Sequence, residues 1–289
     1  MAPVPPDNSL QVRVLDIDTG KAITYLQVWW DGGKMHRTPN ASTKIATFED
    51  IPAGKIKVSA GKNTKHPLVT EEVEMPKKGP KQHTLKVKLQ PEIILTFDDG
   101  PLYGTKEKRT AVSSILASLK TYQAKGVFYL LGEEVKQDPG AAKLIVDAGH
   151  FVENHSWDHP KFGTLSKEKM IDQLKRTQDV IGEATGEIPS RFRPPYGHGK
   201  GLPQLAEAAS AVGLKLTYWD IDTNDWMNPK GLTSRRFSPQ RTSWRAKIDA
   251  MGGVPLDLLM HCQNETARDL PGLLSELKGE RWAFVTYPD

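Results

Sequence analysis

The chain contains the stretch Ile93-Ile94-Leu95-Thr96-Phe97-Asp98-Asp99-Gly100-Pro101, in which an apolar run ends in two carboxylates and a turn. An apolar run bounded by turn residues predicts a strand that is buried on both faces, as in a parallel sheet covered by helices. Three later runs, 151–152, 216–219 and 256–259, also end in polar motifs. Because the carboxyl ends of parallel strands meet on one face of an α/β barrel, these polar groups are expected to converge there.

Beyond Pro91, apolar runs alternate with segments that have helical periodicity. Apolar residues recur at helical spacing within 106–125, and Ser166 is placed to cap a helix that ends before Gly186. This alternation predicts parallel βα units. A count of seven strands favours an irregular (β/α)7 barrel over a regular eightfold barrel. We therefore assign residues 91–289 to one catalytic α/β domain.

Residues 1–90 have a different pattern, with short alternating strands separated by turns. Strands at this spacing predict an all-β sandwich. The stretch Phe48-Glu49-Asp50-Ile51-Pro52-Ala53-Gly54-Lys55-Ile56-Lys57-Val58, together with Asp18-Thr19-Gly20-Lys21, resembles the transthyretin-like or carboxypeptidase-regulatory-like sandwich. We therefore assign residues 1–90 to an N-terminal β-sandwich accessory domain, for which a protein or carbohydrate partner is expected.

Charge and composition exclude several classes of protein. The formal net charge is +4, and the first 90 residues carry 14 Lys and Arg against 9 Asp and Glu. No basic run is interleaved with aromatic residues, so nucleic-acid binding is not expected and the basic surface is interpreted as solvated. No tract is long enough to span a membrane, and the start lacks the apolar core of a signal peptide. Cys262 is the only cysteine, which excludes an internal disulfide and a cysteine-based metal site.

Adjacent carboxylates and a histidine pair form a candidate metal site. Asp98 and Asp99 repel each other unless a cation intervenes. His155 and His159 are four residues apart, a spacing that puts both imidazoles on one face of a helical turn. One carboxylate and two histidines leave open positions, as in catalytic zinc sites; Zn²⁺ is favoured, and Co²⁺, Ni²⁺ and Fe²⁺ also fit. A metal on Asp99, His155 and His159 would leave Asp98 free as a base.

Two further motifs can supply an oxyanion donor and an acid. The prolines of Arg193-Pro194-Pro195-Tyr196-Gly197 stiffen a loop, and a rigid backbone N–H beside a metal can stabilise an oxyanion; the alternative is a proline-rich turn with a surface arginine. His261 ends an apolar strand. With Asp225 to hold its far nitrogen it can be a general acid, and the alternative is a core histidine. Trp226 and Leu259 can line an apolar pocket or belong to the core.

In this order the motifs resemble the polysaccharide deacetylase family, the NodB-homology domain of carbohydrate esterase family 4. The resemblance extends from Glu92 to Tyr287 and includes Gly149-His150. It implies one divalent metal ion and a site at the end of the barrel. It also implies the following roles: Asp98 as the base, oriented by Arg193; Asp99, His155 and His159 as metal ligands; Tyr196 as an N–H donor and substrate contact; His261 as the acid, supported by Asp225; and Trp226 and Leu259 as substrate contacts.

The resemblance implies a metal-dependent hydrolase that removes acetyl groups from an N-acetylglucosamine-containing polymer or oligomer such as peptidoglycan or chitin. Two alternatives remain open. One is a carbohydrate-binding or adaptor protein with weak catalysis, against which the complete ligand triad argues. The other is an amide hydrolase of the same fold that acts on a formyl group or another small amide. An acetylated amino-sugar polymer as substrate leads us to expect action outside the cytoplasm, in the periplasm, in the cell wall or as a secreted protein. Since no signal peptide is visible in the sequence, a removed signal, another export route and a protein that stays inside the cell all remain open.

Overall fold

The computed structural model describes residues 8–33, 35–63, 66–101, 106–227, 232, 241–251 and 253–287. The chain forms two compact units, Met1–Gln90 with Arg245–Val254, and Pro91–Trp244 with Pro255–Asp289. The boundary at Pro91 coincides with the assigned one. Residues Arg245–Val254, however, were assigned to the second domain and group with the first unit. Gly253 lies directly against the Tyr25 ring, and any side chain at position 253 would collide with that ring.

Within residues 1–90, the regular elements of the described chain are β-strands. Alternating apolar residues give each strand one buried face, and these faces share one core that includes Leu10, Val28, Val58 and Leu85. The strands form two three-stranded sheets, ordered β3-β1-β6 and β2-β4-β5. Their bounds are β1 Leu10–Asp16, β2 Gln27–Trp30, β3 Ala46–Phe48, β4 Gly54–Asn63, β5 His66–Met75 and β6 Lys81–Val87.

The second unit is built on one parallel sheet. Its strands in the described residues are β7 Glu92–Gly100, β8 Gly126–Leu130, β9 Phe151–Asn154, β10 Arg191–Phe192, β11 Lys215–Leu216, β12 Ile221–Asp222, β13 Leu256–His261 and β14 Ala283–Val285. Their order is β11-β10-β9-β8-β7-β13-β12, and β14 also pairs with β7. Every pair is parallel. The end strands β11 and β12 are not paired with each other in the described chain, so the sheet is a curled half-barrel.

Helices connect these strands, and several confirm the sequence expectations. Ser166 caps α4 by accepting a hydrogen bond from the Lys169 N–H, and Gly186 ends that helix in the left-handed conformation. The helices are α1 Lys106–Thr121, α2 Gly132–Gln137, α3 Pro139–Asp147, α4 Lys167–Thr185, α5 Pro203–Ala211, α6 Arg241–Ala250 and α7 Asn264–Gly279. No helix in the described part of the chain is long and apolar enough to cross a membrane.

The sheet differs from the expectation in the number of strands. Within the described residues this sheet has eight strands instead of the seven expected. Residues 216–219 were predicted as one buried strand, but only Lys215–Leu216 pairs with β10, and Ile221–Asp222 pairs separately with β13. Thr217, Tyr218 and Trp219 lie between the two short strands and are partly exposed. The apolar run therefore crosses from one edge of the open sheet to the other.

Candidate functional site

The two adjacent carboxylates lie at the carboxyl end of the central strand β7. Successive side chains of a regular strand point to opposite faces, so Asp98 and Asp99 would diverge without a local irregularity. Such an irregularity is present, because the four residues Phe97–Gly100 of β7 oppose the three residues Phe128–Leu130 of β8. Asp99 also has a positive φ of 58°. This bulge turns Asp99 toward the same region as Asp98.

The two histidines follow strand β9 in an irregular loop. The helical turn predicted for His155 and His159 is wrong, because Ser156 and His159 have φ values of 79° and 63°. Side chains hold the loop instead. Asn154 Oδ1 accepts a hydrogen bond from the Ser156 N–H at 2.9 Å, and Gln173 Oε1 accepts one from the loop N–H at position 157 at 2.8 Å. His155 and His159 still meet, with ring centroids 5.1 Å apart.

Asp99, His155 and His159 form a group that could hold a metal ion. One ligand atom from each residue lies within 4.8 Å of the other two. Asp99 Oδ1 is 3.4 Å from His155 Nε2 and 3.2 Å from His159 Nε2. His155 Nδ1 contacts the Arg193 carbonyl oxygen at 2.8 Å, so Nδ1 carries the proton and Nε2 is left as the ligand atom. Asp99 Oδ1 is buried and accepts no hydrogen bond in the described chain, as expected for an atom that binds a cation.

The ionisation of this group favours an anionic Asp99. Burial by itself would raise the pKa of Asp99, but its contact with His155 and the charge of both histidines hold that pKa well below its usual range. Burial and the neighbouring His155 lower the pKa of His159. Burial lowers the pKa of His155, but the charges of Asp98 and Asp99 outweigh it and raise that pKa. A divalent metal requires an anionic carboxylate and neutral imidazoles of its ligands, so binding of a metal would displace a proton from His155.

Arg193 is completely buried and bridges two carboxylates. Its Nη1 donates hydrogen bonds to Asp98 Oδ1 and Thr96 Oγ1, each at 2.8 Å. Its Nη2 donates to both oxygens of Asp257, at 2.8 and 2.7 Å. Burial opposes the charge of Arg193, but Asp257 and Asp98 raise its pKa well above the ordinary value, so the guanidinium stays charged. The structure thus brings Arg193 to Asp98, as the resemblance implied.

His261 ends β13 directly beside Asp98, since the Cα atoms of the two residues are paired in the sheet. Its Nδ1 is 2.7 Å from Asp225 Oδ1. Asp225 is buried, and its Oδ2 accepts hydrogen bonds from the His261 N–H and the Thr266 hydroxyl. Burial lowers the pKa of His261, but the hydrogen bond and charge of Asp225 outweigh it and raise that pKa to about 9. The imidazole is therefore protonated at neutral pH and can donate a proton.

The three expected substrate contacts differ in exposure. Tyr196 is 63% exposed, has a φ of 60°, and its ring centroid lies 4.5 Å from that of His159. Trp226 is 58% exposed and directly follows Asp225. Leu259 is only 3% exposed, and its carbonyl oxygen accepts hydrogen bonds from the backbone and hydroxyl of Thr223. Tyr196 and Trp226 thus present aromatic surface, whereas Leu259 lies in the packed strand.

Sequence reasoning missed several residues that organise the site. Asp257 is a carboxylate between Leu256 and Leu258 in an apolar strand, and a charge at such a position requires a buried partner. Asn154 precedes the first histidine and is also fully buried. Thr266 gave no recognisable signal, because it meets Asp225 only through the packing of α7 against the 3-10 turn at Asp225–Met227.

The strand ends of the half-barrel carry an Asp-His-His group, a buried carboxylate and a His-Asp pair. This combination of fold and side chains is typical of a hydrolase with an α/β fold. A family profile described as "Polysaccharide deacetylase" matches residues 86–217. The peptidoglycan-N-acetylglucosamine deacetylase of Bacillus cereus is 33% identical over 199 residues, which are 68% of this chain and 67% of that protein. The chain belongs to the polysaccharide deacetylase family.

Other matches agree with this assignment. The peptidoglycan-N-acetylglucosamine deacetylase PgdA of Listeria monocytogenes is 32% identical over 203 residues, which are 70% of this chain and 39% of that protein. The chain therefore matches less than half the length of that relative. A family 4 carbohydrate esterase from Streptomyces lividans, solved in complex with acetate, is 28% identical with a TM-score of 0.53, covering 67% of this chain and 91% of that one.

Proposed function

We propose that this protein is a metal-dependent deacetylase that removes N-acetyl groups from an N-acetylglucosamine-containing polysaccharide such as peptidoglycan or chitin. The observation that carries the proposal is the placement of Asp98 and His261 side by side, one a carboxylate and the other a protonated imidazole. Amide hydrolysis needs a base for the attacking water and an acid for the leaving nitrogen. The named relatives act on peptidoglycan N-acetylglucosamine, and we extend that substrate class to this chain.

The metal would be held by Asp99, His155 and His159. Two imidazole nitrogens and one carboxylate oxygen suit Zn²⁺, and Co²⁺, Ni²⁺ and Fe²⁺ accept the same donors. When bound, such an ion supplies a Lewis acid that polarises a carbonyl group and makes water more acidic.

The chain's own groups then move the protons. Arg193 holds Asp98 by Oδ1, and Asp98 Oδ2 lies 3.7 Å from His155 Nε2, on the side of the ligand triad. Oδ2 is therefore the atom that accepts the proton of the attacking water. His261 Nδ1 is held by Asp225, so its Nε2 donates a proton to the departing amine. The Tyr196 N–H donates to the developing oxyanion, and the exposed rings of Tyr196 and Trp226 contact the sugar.

We further propose that the first 90 residues form a transthyretin-like sandwich with a protein or carbohydrate partner, and that the enzyme acts outside the cytoplasm. Two three-stranded sheets around a single core support the sandwich. A polymer of the cell wall as substrate supports the location.

Acetate release from a panel of substrates tests the function. Purified protein is incubated with peptidoglycan, chitin oligomers, acetylated xylan and a formylated amide, with added Zn²⁺ or with a chelator. Acetate from peptidoglycan or chitin oligomers, lost with the chelator and restored by metal, is the expected result. Asp98→Asn serves as the matched control, because it keeps the shape of the side chain and removes the base. Failure to release acetate from any amino sugar in the presence of metal would contradict the proposal.

A further inference from the structure

The guanidinium of Arg193 is shared between two buried carboxylates, of which only Asp98 belongs to the proposed proton path. Nη1 binds Asp98 Oδ1, and Nη2 binds both oxygens of Asp257. The Asp257 carboxylate lies in the same strand as His261, four residues earlier. Its pairing with Arg193 uses the donors that point away from Asp98.

Three more side chains fix this arrangement. Thr96 accepts a hydrogen bond from Arg193 Nη1, and its hydroxyl lies 2.9 Å from Asp257 Oδ1. The Tyr287 hydroxyl donates a hydrogen bond to Asp257 Oδ2, and burial raises the pKa of Tyr287, so the hydroxyl keeps its proton. The Tyr129 ring packs against the guanidinium, with its ring centroid 4.1 Å from Arg193 Cζ. Asp257 therefore has donors on both oxygens, and its position is set independently of Asp98.

If Nη2 of Arg193 had no partner of its own, the guanidinium would prefer a different geometry with Asp98 from the one observed. Arginine binds a carboxylate most strongly through two parallel hydrogen bonds, one to each oxygen. In that arrangement Arg193 would occupy Asp98 Oδ2, which lies 3.7 Å from His155 Nε2 and is the atom assigned to the proton of the attacking water. Asp257 opposes this rearrangement, because it binds Nη2, so that only one nitrogen, Nη1, donates to Asp98.

We propose that Asp257 is a positioning residue for the deacetylation reaction: it holds Arg193 so that the guanidinium binds Oδ1 of Asp98 and leaves Oδ2 free to accept a proton. This inference rests on the proposed function, since it requires Asp98 to be the base. The side-chain hydrogen bonds of Asp257 in the described chain come from Thr96, Arg193 and Tyr287, and none comes from the proposed metal ligands. Its loss should affect turnover and leave substrate binding and metal binding in place.

The variant Asp257→Asn tests the inference, with Glu153→Gln as the matched control. Both changes convert a buried strand carboxylate to an amide. Glu153, however, accepts its hydrogen bonds from Ser190 and Arg191 and not from Arg193. For both variants and the wild type, kcat and KM on one acetylated oligomer, bound metal and the thermal midpoint are measured. In Asp257→Asn, kcat should fall by about tenfold or more while KM stays within about twofold, because the base is misplaced and the sugar contacts are kept.

Glu153→Gln should lose thermal stability but keep its kcat. The inference is overturned if Asp257→Asn keeps the wild-type kcat, if its kcat falls only in proportion to lost metal, or if Glu153→Gln loses as much turnover. Tyr287→Phe is the second variant and decides the matter if Asp257→Asn does not fold. It keeps every charge and removes the hydrogen bond to Asp257 together with the one that the hydroxyl accepts from Arg193 Nη2. Because both bonds hold Arg193 in place, kcat should fall by about threefold with KM unchanged, and a wild-type kcat would overturn the inference. Absence of acetate release by the wild type would instead contradict the proposed function.

Discussion

Replacement of Asp225 by Asn tests the proposed acid most directly. Both oxygens of Asp225 accept hydrogen bonds: Oδ1 from His261 Nδ1 and the Trp226 N–H, and Oδ2 from the His261 N–H and the Thr266 hydroxyl. After the substitution, the side-chain NH2 replaces one of these two oxygens, and in either position it faces a hydrogen-bond donor. The variant therefore loses the negative charge and also leaves buried donors unsatisfied, at a cost of about 1–3 kcal/mol in the free energy of unfolding.

The effect on the acid follows from the pKa of His261. Burial lowers that pKa, but the hydrogen bond and charge of Asp225, with smaller contributions from Asp98 and Asp99, raise it to about 9. The difference from the ordinary value of 6.5 corresponds to about 3 kcal/mol. Because the pKa is raised by folding, the protonated imidazole adds stability that is complete below pH 6.5 and is lost as the pH rises through about 9. At pH 7.5 a pKa of about 9 leaves roughly 97% of the imidazole protonated, whereas a pKa of 6.5 leaves roughly 9%.

The assay is kcat/KM for acetate release from pH 5.5 to 9.5 with saturating metal. Asp225→Asn should lose about tenfold of the wild-type rate at pH 7.5, and the ratio to wild type should recover as the pH falls to 6, because His261 becomes protonated again. Thr266→Val is the control, because it removes one hydrogen bond to Asp225 and no charge. The pH at which its kcat/KM falls on the alkaline side should therefore stay within about 0.5 pH unit of that of the wild type. A variant-to-wild-type ratio that is constant across the whole pH range would refute the assignment of His261 as the acid.

Three further changes probe the base, the metal ligands and the loop that carries them. Asp98→Asn keeps an oxygen for Arg193 but no base, so kcat should fall by ~10²-fold or more with metal content unchanged, and a near-normal kcat would show that another group is the base. Asp99→Ala should lose its bound metal, measured by elemental analysis, while the circular dichroism spectrum stays that of the wild type; full metal occupancy is the contrary result. Asn154→Ala leaves two buried backbone groups without partners, so denaturant titration should show a loss of about 2 kcal/mol in unfolding free energy, and metal affinity should weaken by about tenfold. Lys143→Ala, at an exposed ion pair, should change stability by less than about 0.5 kcal/mol and serves as its control.

The amino-acid pattern predicted much of the second unit because its signals are local. The apolar run before Asp98 predicted β7, and the capping serine and closing glycine predicted α4 within a few residues. The pattern was less informative where the backbone departs from regular periodicity. The spacing of His155 and His159 is that of a helical turn, yet two residues in positive φ and the side chain of Asn154 shape a loop there instead.

By itself, the sequence determined that this protein is an α/β protein whose strands end in acids and histidines, because periodicity and residue type depend on neighbours along the chain. Only the tertiary structure decided which of those groups act together. The bulge of β7 against β8 turns Asp99 toward Asp98. The register pairs His261 with Asp98, and Arg193 is shared with Asp257. Each of these arrangements depends on contacts between distant parts of the chain. Such contacts depend on how the strands align and on which buried charges must find partners, and no local pattern carries that information.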